Sequence, residues 1–362
     1  FRPNDVFTAV ANENYRDPKK PAFASVTFKG GGDATAAGRA VHETGEFDYA
    51  WNLQLAPDVL SKMAEAGLAE NVVAFGTSVE RILLNQTNVD PALGDQRGVI
   101  GNPHPFLTDK AVRQAMSMAI DRALLTEIGY GDFGKLTCNV LPAPAVFASS
   151  ANDGCLVQDL EGAKSVLEAA GWTDTNGDGF RDKDGVELSV LYQTSTNAVR
   201  QDYQALIKQW WEEIGIETEL RNIDASVFFG SDPGSDDTFQ KFFADVEMFT
   251  NNFDGTDPES YMAGWTCDQA PQPSNQWQGN NMPRFCSEEY DALRAEMAVT
   301  GDINERARLA KAMNDILMQE YIILPLTHRG RNSAHAKTLG GVALNVWDSE
   351  LWNIADWYRI GE

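Results

Sequence analysis

HPFLTDKAVRQAMSMAIDRALL (residues 104–125) joins a helix start to an order of residue types that ordinary helices do not share. Thr108 or Asp109 can cap a helix, because a short side-chain oxygen accepts a backbone N–H that the first turn leaves unpaired. Ala111, Val112, Ala115, Met116, Ala119 and Ile120 then recur at helical spacing, which makes one face apolar. The spacing predicts one helix over 108–130, with Arg113 and Arg122 on other faces. Periodicity alone implies no more than an amphipathic core helix.

On the N-terminal side, residues 1–77 read as a strand, a helix around 33–45, and a strand or loop over Asp48–Leu55. RILLNQTNVDP then runs from a short strand into a turn-rich loop. On the C-terminal side, 131–158 is irregular, and a helix follows from about Asp159 to Ala170. Gly171 suits its end, because glycine tolerates the left-handed conformation there. VELSVLYQTS (186–195), AVRQDYQALIKQWWEEIG (198–215) and GIETELRNID (215–224) form a predicted βαβ unit with parallel strands. Its helix places Ala198, Tyr203, Leu206, Trp210 and Ile214 on one side. ADVEMFT (244–250) is a further strand, 251–286 is irregular, and helices are predicted over 287–299 and 303–321. ILPLTHR (323–329) closes the series as a last or crossing strand.

The chain has 362 residues, 43% of them hydrophobic, which suits a large core divided between two domains. The opening FRPNDVFTAV shows no signal-peptide pattern and reads as a start inside a mature protein. A net charge of −24 is unsuited to nucleic acid and to anionic membranes, where clustered Lys and Arg are required. Four cysteines fall as two close pairs without C-x-x-C spacing or nearby histidines. Cys138–Cys155 and Cys267–Cys286 are the simplest pairing, each bridge adding roughly 3 kcal/mol in the chain-entropy treatment. Disulfides point to an oxidising compartment.

The order Pro-Phe, Asp, Val-Arg-Gln-Ala and Ala-Ile-Asp-Arg resembles the extracytoplasmic solute-binding proteins that serve dipeptide and oligopeptide ABC importers, the family 5 peptide, nickel and opine branch. The likeness extends to 13–53, to NVDPALGDQRGVIGNPHPF, to EGAKSVLEAAGW (161–172), to SEEYDALRAEM (287–297) and to ILPLTHRGRNSAHAKTLGGV (323–342), all in the family's order. It implies an α/β fold of the type II periplasmic-binding-protein kind: two lobes of mixed sheets flanked by helices, joined by a hinge. Residues 1–77 and 324–362 would then form part of the first lobe and 78–323 the second. Strands near Gly76–Glu80 and Ile322–Leu326 would be the hinge. The N-terminal part of the first lobe and the family's extra small domain are expected to be missing from this stretch.

The resemblance also implies a function. The chain would be the substrate-binding component of an ABC importer, a monomer in the periplasm or tethered outside the cell, which catalyses nothing and delivers a peptide to permease subunits. An oligosaccharide or an opine is the alternative ligand, and a secreted enzyme a more distant reading. Asp254, counted back from Pro258, matches the family's anchor for a peptide α-amino group, since a carboxylate in a closing cleft suits an ammonium. Where the family has Gly-Trp, this chain has Asn251-Asn252, which favours a more polar ligand. Trp51 and Asn52 fall where the family lines its cleft. Arg329 and Asn332, just past the hinge, can reach a carboxylate or lie on the surface.

No G-x-S-x-G, H-E-x-x-H, Walker loop or dinucleotide fingerprint is present, and no cofactor is required. The one metal-like stretch is DTNGDGFRDKDG (174–185). Asp174, Asn176 and Asp178 sit at calcium-loop positions 1, 3 and 5, Phe180 can offer its carbonyl, and Asp182 stands at position 9. Gly185 replaces the bidentate glutamate, with Asp184 or Glu187 as substitutes. A structural calcium and a plain Asx-turn loop are both open readings.

Overall fold

The computed structural model describes residues 5–30, 33–253 and 255–361. The chain opens with a hairpin of β1 (Val6–Val10) and β2 (Ser25–Lys29). Helix α1 (Ala34–His42) follows, capped by Asp33, which accepts from the Ala36 amide. Then come β3 (Tyr49–Ala50), α2 (Pro57–Ala64) and β4 (Ala69–Ala74). β5 (Val79–Leu84) enters the second lobe.

The predicted 108–130 helix is two helices, α3 (Lys110–Met118) and α4 (Arg122–Gly129). Asp109 caps the first and Asp121 the second, each taking backbone N–H groups. The apolar period continues through the break, so Asp121 acts as a cap inside what reads as one stripe. Val112, Ala115, Met116, Ala119 and Ile120 are fully buried as expected. Arg113 and Arg122 are buried too, their guanidinium groups donating mainly to backbone carbonyls.

Next come β6 (Gly134–Leu136), α5 (Leu160–Ala169) and a small hairpin, β7 (Asp182–Lys183) with β8 (Val186–Glu187). The βαβ unit is β9 (Ser189–Ser195), α6 (Ala198–Glu213) and β10 (Glu217–Ile223), with β9 and β10 parallel. The inward stripe of α6 is Val199, Tyr203, Ile207 and Trp211. Tyr203 and Ile214 are buried as predicted, while Val199, Ile207 and Trp211 take the inward places expected of Ala198, Leu206 and Trp210: the Trp211 indole N–H donates to the Met116 carbonyl, and Trp210 lies at the margin. α7 (Ala225–Phe228), β11 (Val246–Asn251), α8 (Glu259–Ala263), α9 (Glu288–Ala298) and α10 (Ile303–Gln319) lead to β12 (Ile323–Arg329) and β13 (Arg331–Ala336).

Two sheets organise the two lobes. A six-stranded mixed sheet runs β10-β9-β11-β5-β12-β6, and a three-stranded antiparallel sheet runs β3-β13-β4. One face of the large sheet packs on α3, α5 and α6, while the other carries a core built from α8, α9 and α10. The small sheet packs on α1 and α2 through Val41, Leu53, Leu55, Leu60 and Met63. Each fully buried side chain of this size contributes about 1.5–3 kcal/mol relative to exposure.

The chain passes between the sheets twice. The outward step is 75–78, between β4 and β5. On the return, β12 lies wholly in the six-stranded sheet, and the step falls at Gly330, between β12 and β13, beyond the expected 324. A Cβ at Gly330 would stand 2.4 Å from the Val73 side chain of β4, so a larger residue at this step would force the neighbouring strand to move.

Both expected disulfides, Cys138–Cys155 and Cys267–Cys286, are present. No helix among the described residues is long and apolar enough to cross a membrane.

Candidate functional site

In open α/β sheets, ligands bind beyond the carboxyl ends of the strands. Here the ends of β9 and β11 meet the first lobe. Asn197, which follows β9 and caps α6, donates to the Gln54 side-chain carbonyl at 3.5 Å. Beyond β11, the Phe253 backbone is pinned by Thr77, whose hydroxyl donates to the Phe253 carbonyl and accepts from its amide. The Gly255 amide donates to the Trp347 carbonyl at 2.8 Å. A Cβ at Gly76 would lie 2.9 Å from that of Val346, so the first crossing also needs its glycine.

At the centre of the junction is Glu80, on β5 and fully buried. It accepts from Arg200 Nε at 2.9 Å, Tyr130 Oη at 3.1 Å, Thr250 Oγ1 at 2.5 Å and Gln54 Nε2 at 3.4 Å. Burial is the largest single influence on its carboxyl and pushes the pKa up. The positive charges of Arg200 and Arg329, with the Arg200 and Thr250 bonds, outweigh burial and hold it below the ordinary carboxylate value. Glu80 was missed in the sequence. The available signal was the Glu80-Arg81 pair inside the otherwise apolar strand VERILL, since charges in a doubly covered strand need partners.

Trp51 is 68% exposed on the first lobe. Asn52 has φ of 54°, a left-handed conformation that asparagine tolerates better than most residues. Its side-chain oxygen accepts from Arg329, which is buried and stands 5.9 Å from the Tyr130 ring centroid. Trp51, Asn52 and Arg329 are therefore close together, with Arg329 inside the junction and not on the surface. Asn332 is buried and donates to the Leu53 carbonyl, which ties the 51–54 segment to β13. Asn251 ends β11 opposite Val79, half-buried, and accepts from the Asn252 amide. Asp254 lies outside the described residues. Trp352 is half-exposed, and its indole N–H donates to the Ala343 carbonyl.

The 174–185 loop folds on its own turns. Asp174 accepts from the Gly177 and Gly179 amides, Asp178 from the Phe180 amide and the Asn176 side chain, and Asp182 from Thr175. Among the described residues, no group of three or more His, Cys, Asp or Glu side chains gathers to hold a metal ion.

On the opposite face of the large sheet, Glu247 is fully buried and accepts from the Gln193 side chain at 3.1 Å. Burial pushes its carboxyl well above the usual range, against the opposing pull of Gln193, Arg284 and Arg81. A raised folded-state pKa adds stability that is present below the ordinary carboxylate value and is lost as pH climbs through the raised one. Glu247→Gln is therefore expected to flatten the limb of a stability–pH profile that descends above the ordinary carboxylate value, measured by urea unfolding. An unchanged limb would contradict a protonated Glu247.

The sequence profile described as bacterial extracellular solute-binding proteins, family 5 Middle, matches residues 1–279. Over 120 residues, 33% of this chain and 22% of the relative, the chain is 32% identical to the oligopeptide-binding protein AppA of Bacillus subtilis. It is 23% identical over 336 residues to the periplasmic murein peptide-binding protein MppA of Escherichia coli, covering 89% of this chain and 53% of that protein. The structure of AppA from Bacillus subtilis in complex with a nonapeptide superimposes with a TM-score of 0.80 at 19% identity, covering 99% of this chain and 65% of that one. That likeness bears out the two-lobed α/β fold. The chain spans about half the length of the curated relatives that it matches along most of its own length.

Proposed function

We propose that this chain, which belongs to the bacterial extracellular solute-binding proteins of family 5, captures a peptide between its two lobes outside the cytoplasm. It then hands the peptide to the membrane subunits of an ABC importer. The family and the relatives are solute-binding proteins and not enzymes. The observation that carries the reading is the junction itself. Two separately packed lobes are joined by two adjacent crossings, and the strand ends of one meet an exposed tryptophan-bearing segment of the other. A ligand bound by both lobes stabilises the closed arrangement over the open one, so binding and closure are one equilibrium.

In this reading, Trp51 offers a flat apolar surface to the ligand, and Asp254 pairs with its α-amino group. Asp254 rests on the sequence match alone. The bridged cysteines suit an oxidising compartment. The test is calorimetric titration with pools of defined di-, tri- and nonapeptides, followed by recovery of the peptide. The expected result is saturable one-to-one binding with intact peptide recovered, and a Trp51→Ala affinity loss of about tenfold. Cleaved peptide would turn the reading toward an enzyme, and no binding across all pools would remove peptides as the ligand.

A further inference from the structure

We propose that Asn52 and Gln54 form a latch between the lobes, acting on closure and not on ligand contact. The proposal rests on the reading above, that a ligand is captured between the lobes. Along the segment 51–54 the side chains divide three ways. Trp51 is exposed, and its indole makes no hydrogen bond among the described residues. Leu53 is buried in the core of the first lobe. Asn52 and Gln54 reach into the second lobe.

The Gln54 amide is occupied at both ends. Its nitrogen donates to Tyr130 Oη at 3.0 Å and to Glu80 Oε2 at 3.4 Å, and its oxygen accepts from Asn197 at 3.5 Å. The Asn52 side-chain oxygen accepts from Arg329. All four partners are fixed in the second lobe: Glu80 on β5, Arg329 at the end of β12, Asn197 as the cap of α6, and Tyr130 directly after α4. Arg329 carries a full charge, so the Asn52–Arg329 bond is of the stronger, charge-assisted kind.

The left-handed backbone at Asn52 breaks the alternation of an extended strand. On either side of this turn in the backbone, Trp51 faces solvent and Asn52 faces Arg329. Strained backbone of this kind collects at clamps and switches, where the surrounding contacts hold it. The same segment thus presents one ligand-ready side chain beside two that are committed to the other lobe. Ligand affinity then depends on residues that never touch the ligand, because weakening the closed state weakens everything bound by it.

Asn52→Gly and Gln54→Ala test this, separately and together, in the full chain. Glycine is at home at a φ of 54°, so the first variant keeps the backbone and removes only the latch atom. Two readouts are needed: the radius of gyration of the ligand-free protein by small-angle X-ray scattering, and the dissociation rate of a tripeptide pool. The expected result is a larger ligand-free radius in the double variant. Dissociation should be about tenfold faster, with association and the ranking of peptides unchanged. An unchanged radius and an unchanged dissociation rate would overturn the latch, even if the melting temperature fell. If the wild-type chain binds none of the di-, tri- and nonapeptide pools, the capture reading fails separately, and the ligand-free radius alone decides whether these residues hold the lobes together.

Discussion

Glu80→Ala is expected to remove about 3–5 kcal/mol of folding stability, the largest effect of any single substitution at the junction. The reason is the partner left behind. Arg200 is 4% exposed, and its guanidinium bonds to Glu80, Ser195 and Thr250, of which only Glu80 carries a charge. Deleting the carboxylate strands that cation in the interior beside Arg329, and Tyr130 loses an acceptor as well. Urea unfolding of the variant measures the loss. A change below about 1 kcal/mol would mean that the pair is open to solvent. The pH dependence has a definite sign. The folded-state pKa of Glu80 is depressed, so its contribution is present above the ordinary carboxylate value and is lost as pH falls through the depressed one. Glu80→Ala should therefore be less sensitive to acid than the parent over that window.

Reduction of the two disulfides is expected to cost stability as well, roughly 3 kcal/mol for each bridge. Both bridges close irregular segments that have little regular hydrogen bonding of their own. Cys138–Cys155 also seats the Cys155 carbonyl against Arg122, a buried guanidinium whose neighbours are all neutral acceptors. Burial lowers the pKa of Arg122 to about 10. Loosening the Cys155 turn takes one of its acceptors away. Cys267–Cys286 holds the turn before α9, where the Cys267 amide meets the Asp291 carboxylate. Melting curves with and without a phosphine reductant, with thiol counting to verify reduction, measure the effect. An unchanged melting temperature after full reduction would show that neighbouring contacts already fix these loops.

Much of the fold was legible because its punctuation is local. Asp33, Asp109, Asp159, Asn197, Ser287 and Asp302 each stand where a helix begins and accept the amides that its first turn leaves unpaired. The parallel strands flanking α6 and the cysteine pairs were equally readable, the first from two apolar runs around a helix and the second from spacing. The break at Asp121 was hidden because the apolar period runs through it. The step at Gly330 was hidden because ILPLTHR and RNSAHA are both buried strands with a single glycine between them, although they belong to different sheets.

The site was less readable for a physical reason. Trp51 and Asn52 could be singled out by their place in the sequence, but what Asn52 does depends on Arg329, far along the chain. Glu80 gathers Gln54, Tyr130, Arg200 and Thr250 from four separate segments. No spacing rule joins residues that only the folded sheet brings together. The charged pair within VERILL marks that something must compensate it, without saying what.

The most direct test of ligand capture is mass spectrometry of the small molecules released when the purified protein is denatured. The account predicts a ladder of masses that fit short chains of amino-acid residues, in stoichiometric amount and chemically intact. A single species built of sugar or opine units, or no released molecule together with no binding of added peptide, would contradict it.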